Sequence, residues 1–182
     1  MTPGDDDRAC AMRARSGDMA AFSTLVLRHQ KRLYRFLLRL TRSPDDALDL
    51  TQDTFLRAHR HLGQWRPDAL FTTWLFRIAR NAAFDWLRRD KRRAARETDA
   101  ACDMPDPAAG PERSVETQQL YRQLEAALAR LPPAHREVLL LREIEAMSYE
   151  EIAQVLDIGV GTVKSRIARA RAGLLDRMHR YL

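Results

Sequence analysis

SYEEIAQVLDIGVGTVKSRIARARAGL, residues Ser148–Leu174, is the stretch on which the fold turns. It opens as a capping box: Ser148 is spaced to accept a hydrogen bond from the Glu151 N–H, and the Glu151 carboxylate to reach back to the Ser148 N–H. That predicts a short helix from Tyr149 to about Leu156. Asp157-Ile158-Gly159-Val160-Gly161 is a tight, glycine-bearing connection, and helical spacing resumes near Thr162. Helix, short turn, helix is the helix-turn-helix pattern, whose second member enters the major groove of DNA. In that second helix Val163, Ile167, Ala170 and Leu174 form an apolar stripe that docks it on its own domain. The opposite ridge carries Ser165, Ala168, Arg169 and Ala172, flanked by Lys164 and Arg166. Small side chains let the backbone approach base edges, and the flanking cations reach phosphates or guanine. A solvated basic helix closing a bundle is the plainer alternative; the cap and turn ahead of it favour DNA.

Working back from this motif, helical periodicity runs from Glu116, broken at Pro132-Pro133 and at Glu145–Met147. Before it stands AARETDAACDMPDPAAGPERSV (Ala94–Val115), with Pro105, Pro107, Gly110 and Pro111 and little that could pack. This reads as an acidic, extended linker. Upstream the spacing is helical again. A first helix runs from Asp18 to about Arg42, with Phe22, Leu25, Val26, His29, Leu33, Phe36, Leu37 and Leu40 at i, i+3, i+4 intervals. Ser43-Pro44-Asp45-Asp46 starts a second, with a Ser cap, Pro at the first helical position and carboxylates in the first turn. It stops at Gly63, and a third runs from about Leu70 to Arg93. Neither period-2 alternation nor an internal repeat is found. The expectation is an all-α chain: a tail over 1–17, a helical domain over 18–93, a linker over 94–115 and a helix-turn-helix domain over 116–182.

The N-terminal helices carry their own patterns. On the second, Ala47, Leu48, Thr51, Phe55, Ala58 and Leu62 share one face and are expected in the core. Asp49, Gln52, Asp53, Leu56 and Arg60 share another, and a leucine among carboxylates and an amide suggests a protein contact. On the third, Phe71, Leu75, Ile78, Ala82 and Trp86 form the packing stripe. Trp74, Arg77, Asn81, Arg88 and Arg92 line up beside it. An aromatic, arginines and an amide along one line suit unpaired nucleic acid, where rings stack bases and guanidiniums hold phosphates. Trp74 reads almost equally well as core. Arg88, Arg89, Lys91, Arg92, Arg93 and Arg96 add sequence-independent phosphate attraction.

Composition agrees. In 182 residues, 31 Lys+Arg against 25 Asp+Glu give a formal charge of +6, which favours polyanions. The opening Met1–Asp7 is acidic where a signal peptide needs a basic segment, and no apolar run approaches a membrane span, so a cytoplasmic location is expected. Cys10 and Cys102 fall in segments expected to be irregular, without metal-ligand spacing, and read as reduced thiols. His59 and His61, two apart on a helix, point to nearly opposite faces. No nucleophile–base set, phosphate loop or metal cluster is evident. Neither catalysis nor a cofactor or metal is expected.

Three strings together resemble the extracytoplasmic-function sigma factors of the sigma-70 family: DALDLTQDTFLRAHR (Asp46–Arg60), FTTWLFRIARNAAFDWLRR (Phe71–Arg89) and LPPAHREVLLLREIEAMSYEEIAQVLDIGVGTVKSRIARARAGL (Leu131–Leu174). The resemblance implies a region 2 domain, a linker and a region 4 domain, and a transcription initiation factor whose partners are core RNA polymerase, promoter DNA and an anti-sigma factor. It assigns Asp49, Gln52 and Asp53, with Leu56 beside them, to docking on the polymerase. Asp68, Phe71, Trp74, Arg77 and Asn81 would capture a flipped base of the −10 element, with Arg88 and Arg89 holding phosphates. Thr162, Lys164, Ser165, Arg166 and Arg169 would read the −35 element. The linker would thread near the polymerase's RNA path. Ala168 departs from relatives with a bulkier residue there, which bears on the −35 preference. Two rivals are weighed against this. A stand-alone helix-turn-helix regulator would need a receiver or ligand domain upstream. A helical nuclease would need clustered carboxylates, and Asp45, Asp46 and Asp49 are better explained by capping and docking.

Overall fold

A computed structural model describes residues 3–94 and 115–179. Among them every regular element is helical: α1 (Pro3–Arg15), α2 (Met19–Thr41), α3 (Pro44–Arg60), a 3-10 turn (Leu62–Gln64), α4 (Phe71–Ala94), α5 (Val115–Ala129), α6 (Pro133–Leu139) running into a π turn (Leu140–Ile144), α7 (Tyr149–Leu156) and α8 (Val160–Met178). The chain divides into two compact units, the first built on α1–α4 and the second on α5–α8. The expected linker lies outside the described residues, apart from Ala94, which ends α4, and Val115, which begins α5. Cys102 lies outside them too.

In the first unit α2 starts where the Asp18 side chain accepts the Ala21 N–H at 3.0 Å, and ends at left-handed Arg42, whose N–H reaches Leu38 O at 2.8 Å. Ser43 caps α3 as its spacing predicts, accepting the Asp46 N–H at 3.3 Å. The core is Leu25, Leu33, Phe36, Leu37 and Leu40 of α2 against Ala47, Phe55, Ala58 and the α4 residues Phe71, Leu75, Phe76 and Ala79. Phe36 and Phe76 meet edge to face, centroids 5.2 Å apart. Trp86, expected in the apolar stripe of α4, is only half-buried, and its Nε1–H donates to Asp46 Oδ1 at 2.8 Å, tying α4 to the first turn of α3.

Three expectations fail here. The stretch expected as a tail instead holds α1, Pro3–Arg15, which packs on α2. Asp7 is buried and accepts hydrogen bonds from both Arg28 and His29, the latter at 2.7 Å from Nε2. A buried carboxylate needs such partners, and this pair fixes where α1 lies. Cys10, expected in irregular chain, sits on α1 as a partly buried free thiol. Leu48, expected in the core of α3, is 50% exposed, and Leu50 and Thr54 are buried instead. The threonines of that face hide their hydroxyls by donating to the preceding turn, Thr51 to Ala47 O at 2.7 Å and Thr54 to Leu50 O at 2.6 Å.

In the second unit Arg136 closes the end of α5. Its buried guanidinium donates to Leu128 O at 3.0 Å, Ala129 O at 2.6 Å and Leu131 O at 3.0 Å, serving carbonyls that a helix end leaves unpaired. The break expected at Glu145–Met147 is a left-handed Ala146 after the π turn. The capping box of α7 forms as read, with Glu151 N–H to Ser148 Oγ at 3.1 Å and Ser148 N–H to Glu151 Oε2 at 2.6 Å. The turn into α8 forms over the expected Asp157–Gly161 connection. The left-handed residue is Asp157, and the Ile158 N–H reaches back to Ala153 O at 3.1 Å.

Candidate nucleic-acid interfaces and a docking face

α8 buries Val163, Ile167 and Ala170, with Leu174 half-buried, the stripe that its spacing predicts. Thr162, Lys164, Ser165, Ala168, Arg169 and Ala172 are exposed, so the opposite ridge is free to meet DNA. Ser165 Oγ donates to Thr162 O at 3.0 Å, which leaves its lone pairs facing outward as acceptors. Lys164 Nζ lies 5.9 Å from the centroid of the Tyr149 ring, which Arg142 also approaches at 4.9 Å, so a first-turn aromatic of α7 stands among cations. Arg142 is held there by a 2.7 Å bond to Met147 O. Two arginines of α8 turn toward their own unit. Arg171 forks onto Glu143 at 3.1 and 2.6 Å, which raises its pKa further. Arg166 is half-buried near Glu137.

On α4 the predicted line divides. Arg77 and Asn81 are exposed, and Arg80 Nη1 donates to Asn81 Oδ1 at 3.3 Å. Trp74 is half-buried, its ring tilted against Phe71 at 5.8 Å. Asp68 is exposed in the loop before α4. Phe71 is a correction: it is 2% exposed, enclosed by the rings of His29, Trp65 and Trp74, and supports Trp74 from within instead of touching a base. Arg88 and Arg89 are exposed. With Arg57, Asp85 and Arg92 they line an open groove of about 530 Å³. Asp85 pairs with Arg88 and its carbonyl accepts from Arg89 Nε at 3.3 Å, which orients two of these cations. The side chains of Arg93 and Arg96 lie outside the described residues.

The α3 face carries Asp49 and Gln52 exposed, Leu56 56% exposed and Asp53 half-buried. Asp53 is paired with Arg57 Nη2 at 2.8 Å. Sequence reasoning missed two members here. Leu48 stands one turn before Gln52 and two before Leu56 on the same exposed line. Arg57 follows Asp53 by four residues, a spacing that could have signalled the pair. His59 sets its ring edge-on against Phe22 at 4.9 Å. Among the described residues no group of three or more His, Cys, Asp or Glu could hold a metal, and no helix is long and apolar enough to cross a membrane.

Residues 25–93 match the sigma-70 region 2 family and residues 121–174 the sigma-70 region 4 family. The chain is 36% identical to the RNA polymerase sigma-H factor of Pseudomonas aeruginosa, over 96% of this chain and 94% of that one. It is 35% identical to the ECF RNA polymerase sigma-E factor of Escherichia coli, over 92% of each. The structure of CnrH in complex with the cytosolic domain of CnrY matches with a TM-score of 0.70 at 34% identity, covering 94% of this chain and 96% of that one. The sigma factor RpoE of Bartonella quintana, solved with the anti-sigma factor NepR, matches with a TM-score of 0.74 at 26% identity, covering 87% and 96%. Two all-helical units with these faces define a promoter-recognition factor built in two modules. The chain belongs to the extracytoplasmic-function group of the sigma-70 family.

Proposed function

We propose that this chain binds core RNA polymerase, directs it to promoters and helps to open them, doing its work by binding and strand separation without covalent chemistry. The observation that carries this reading is that one chain matches region 2 and region 4 in that order. The ridge of α8, through Thr162, Lys164, Ser165 and Arg169, reads the −35 element in the major groove. Trp74, Arg77 and Asn81 hold a base of the −10 strand, with Asp68 at the edge of the same loop. Capture of that base offsets an unstacking cost of a few kcal/mol. Arg88 and Arg89 hold phosphates. Leu48, Asp49, Gln52, Asp53 and Leu56 dock on the polymerase. CnrH and RpoE were each solved with a second protein, in one case a named anti-sigma factor, which supports an anti-sigma partner for this chain as well. The test is run-off transcription with purified core enzyme over a panel of genomic promoters, with inhibitor absent. RNA starts that require this chain are expected. Silence on every template would overturn the reading. A gel shift on duplex DNA without polymerase separates it from a stand-alone regulator, which binds tightly alone.

A further inference from the structure

Arg142 is aimed by an irregularity of the backbone. The π turn over Leu140–Ile144 closes with the Glu145 N–H on Leu140 O at 3.0 Å, left-handed Ala146 follows, and the Met147 N–H returns to Leu141 O at 3.0 Å. π turns inside helices are frequent at functional sites. This one brings the Met147 carbonyl to Arg142, which donates to it from Nη1 at 2.7 Å, and sets the guanidinium 4.9 Å from the centroid of the Tyr149 ring. Lys164 of α8 stands 5.9 Å from the same centroid. Two cations are thus gathered on one aromatic ring. Neither has a carboxylate partner among the described residues, although acids are close in sequence. Glu143 is taken by Arg171 at 3.1 and 2.6 Å, Glu151 by the Ser148 N–H at 2.6 Å, and exposed Glu150 pairs with neither cation. Like charges held this close repel, and an anion that reaches both relieves the repulsion. Donors are to hand: Arg142 keeps Nε and Nη2 uncommitted, and the hydroxyl of half-buried Tyr149 has no partner among the described residues.

Resting on the promoter-recognition reading above, the geometry points to Arg142 and the Tyr149 hydroxyl, with Lys164 at the edge, as a site for one phosphate of the DNA backbone beside the −35 element. The place of the site in the fold fixes the source of the phosphate. Lys164 belongs to the exposed ridge of α8, and Tyr149 opens α7, the member of a helix-turn-helix that crosses the backbone when its partner enters the groove. A guanidinium offers a phosphate two parallel N–H groups where an ammonium offers a point charge. The contact carries no sequence information and instead fixes the register at which the α8 ridge meets base edges. The π turn therefore supplies a DNA-binding residue from outside both helices of the motif.

The experiment is a phosphate scan with the full chain assembled on core polymerase. The probe is a promoter duplex on which the unaltered holoenzyme starts RNA, made with one neutral methylphosphonate linkage at a time through the −35 element and its flanks. Affinities of the unaltered chain and of Arg142→Gln are compared at each linkage and over a range of salt, well below the melting temperature of each. Arg142→Gln is expected to bind about tenfold more weakly whatever the −35 sequence, with a salt slope shallower by about one. At one linkage, neutralisation is expected to weaken the unaltered holoenzyme about tenfold and Arg142→Gln not at all, because both changes remove the same contact. If Arg142→Gln does not fold, Tyr149→Phe decides, since it keeps the ring and loses only the hydroxyl. Its affinity should drop about threefold, and the penalty at that same linkage should shrink by the same factor. An unaltered salt slope in Arg142→Gln would overturn the proposal. Penalties that multiply at every linkage, in whichever variant decides, would overturn it too, because the residue would then act on the fold alone. Failure of the underlying reading is distinguishable: the unaltered holoenzyme would start RNA on no template.

Discussion

Gly159 and Gly161 lead into α8 with no intramolecular reason to be glycine. Gly159 has φ −69° and ψ 147°, which any residue adopts, and a Cβ at either position would meet nothing within 4 Å. What the missing side chains leave clear is the approach to the first-turn N–H groups of α8, the donors that a phosphate can use. Gly161→Ala, which favours helix by up to about 1 kcal/mol, should leave melting temperature equal or higher and yet weaken promoter binding. Binding at full strength would remove the approach argument. His29 makes a second residue-scale case. Burial lowers its pKa, opposed by Asp7 and assisted by Arg32 and Arg28. As pH falls below about 6.5 the unfolded chain therefore takes up the proton first, and stability present above that pH is lost on the way down through the folded value. Melting temperature should fall from about pH 7 to about pH 5. His29→Gln, which can still donate to Asp7, should flatten that fall; an unchanged profile would assign it to other groups.

At the scale of the element, α3 shows how one helix serves two masters. Its buried side closes the first unit, and its outer side sets Leu48 and Leu56 two turns apart with Gln52 between them. Two large leucines flanked by carboxylates leave half or more of their surface in water, so truncating them costs the fold little, about 0.5 kcal/mol each. Leu48→Ala with Leu56→Ala should leave urea unfolding unchanged and lower affinity for core polymerase at least tenfold, in the range of an interface anchor pair. Equal loss of stability would return these side chains to the fold. The same helix marks where pattern reading failed. Leu48 is apolar and its spacing points inward, while Thr54 is polar and falls outside the expected stripe. A threonine that bonds back to its own helix presents only a methyl to the core, and nothing in the order of residues announces that choice.

At the scale of the molecule, charge is the shared property. A formal +6 favours DNA as a whole, and Arg88 and Arg89 stand exposed beside Arg57 and Arg92 around one groove. Holoenzyme affinity for promoter DNA should fall linearly in log–log form as salt rises. Arg88→Ala with Arg89→Ala should make that slope shallower by about two and weaken all sequences alike. Loss confined to one promoter sequence would mean that these arginines read bases.

The positions of α2, α3, α4, α7 and α8, both caps and the helix-turn-helix were legible in the residue order, because periodicity and capping are local: Ser43, Ser148 and Glu151 meet partners three residues away. The apolar stripe and outer ridge of α8 followed from the same 3.6-residue repeat. Contacts between distant residues were decided only in the folded chain. Asp7 meets His29 across 22 positions, Phe71 is enclosed by three rings, and Arg166 comes within 3.9 Å of Glu137. Which flank of a helix a side chain takes depends on what packs beside it, and a one-dimensional pattern holds no record of the neighbour.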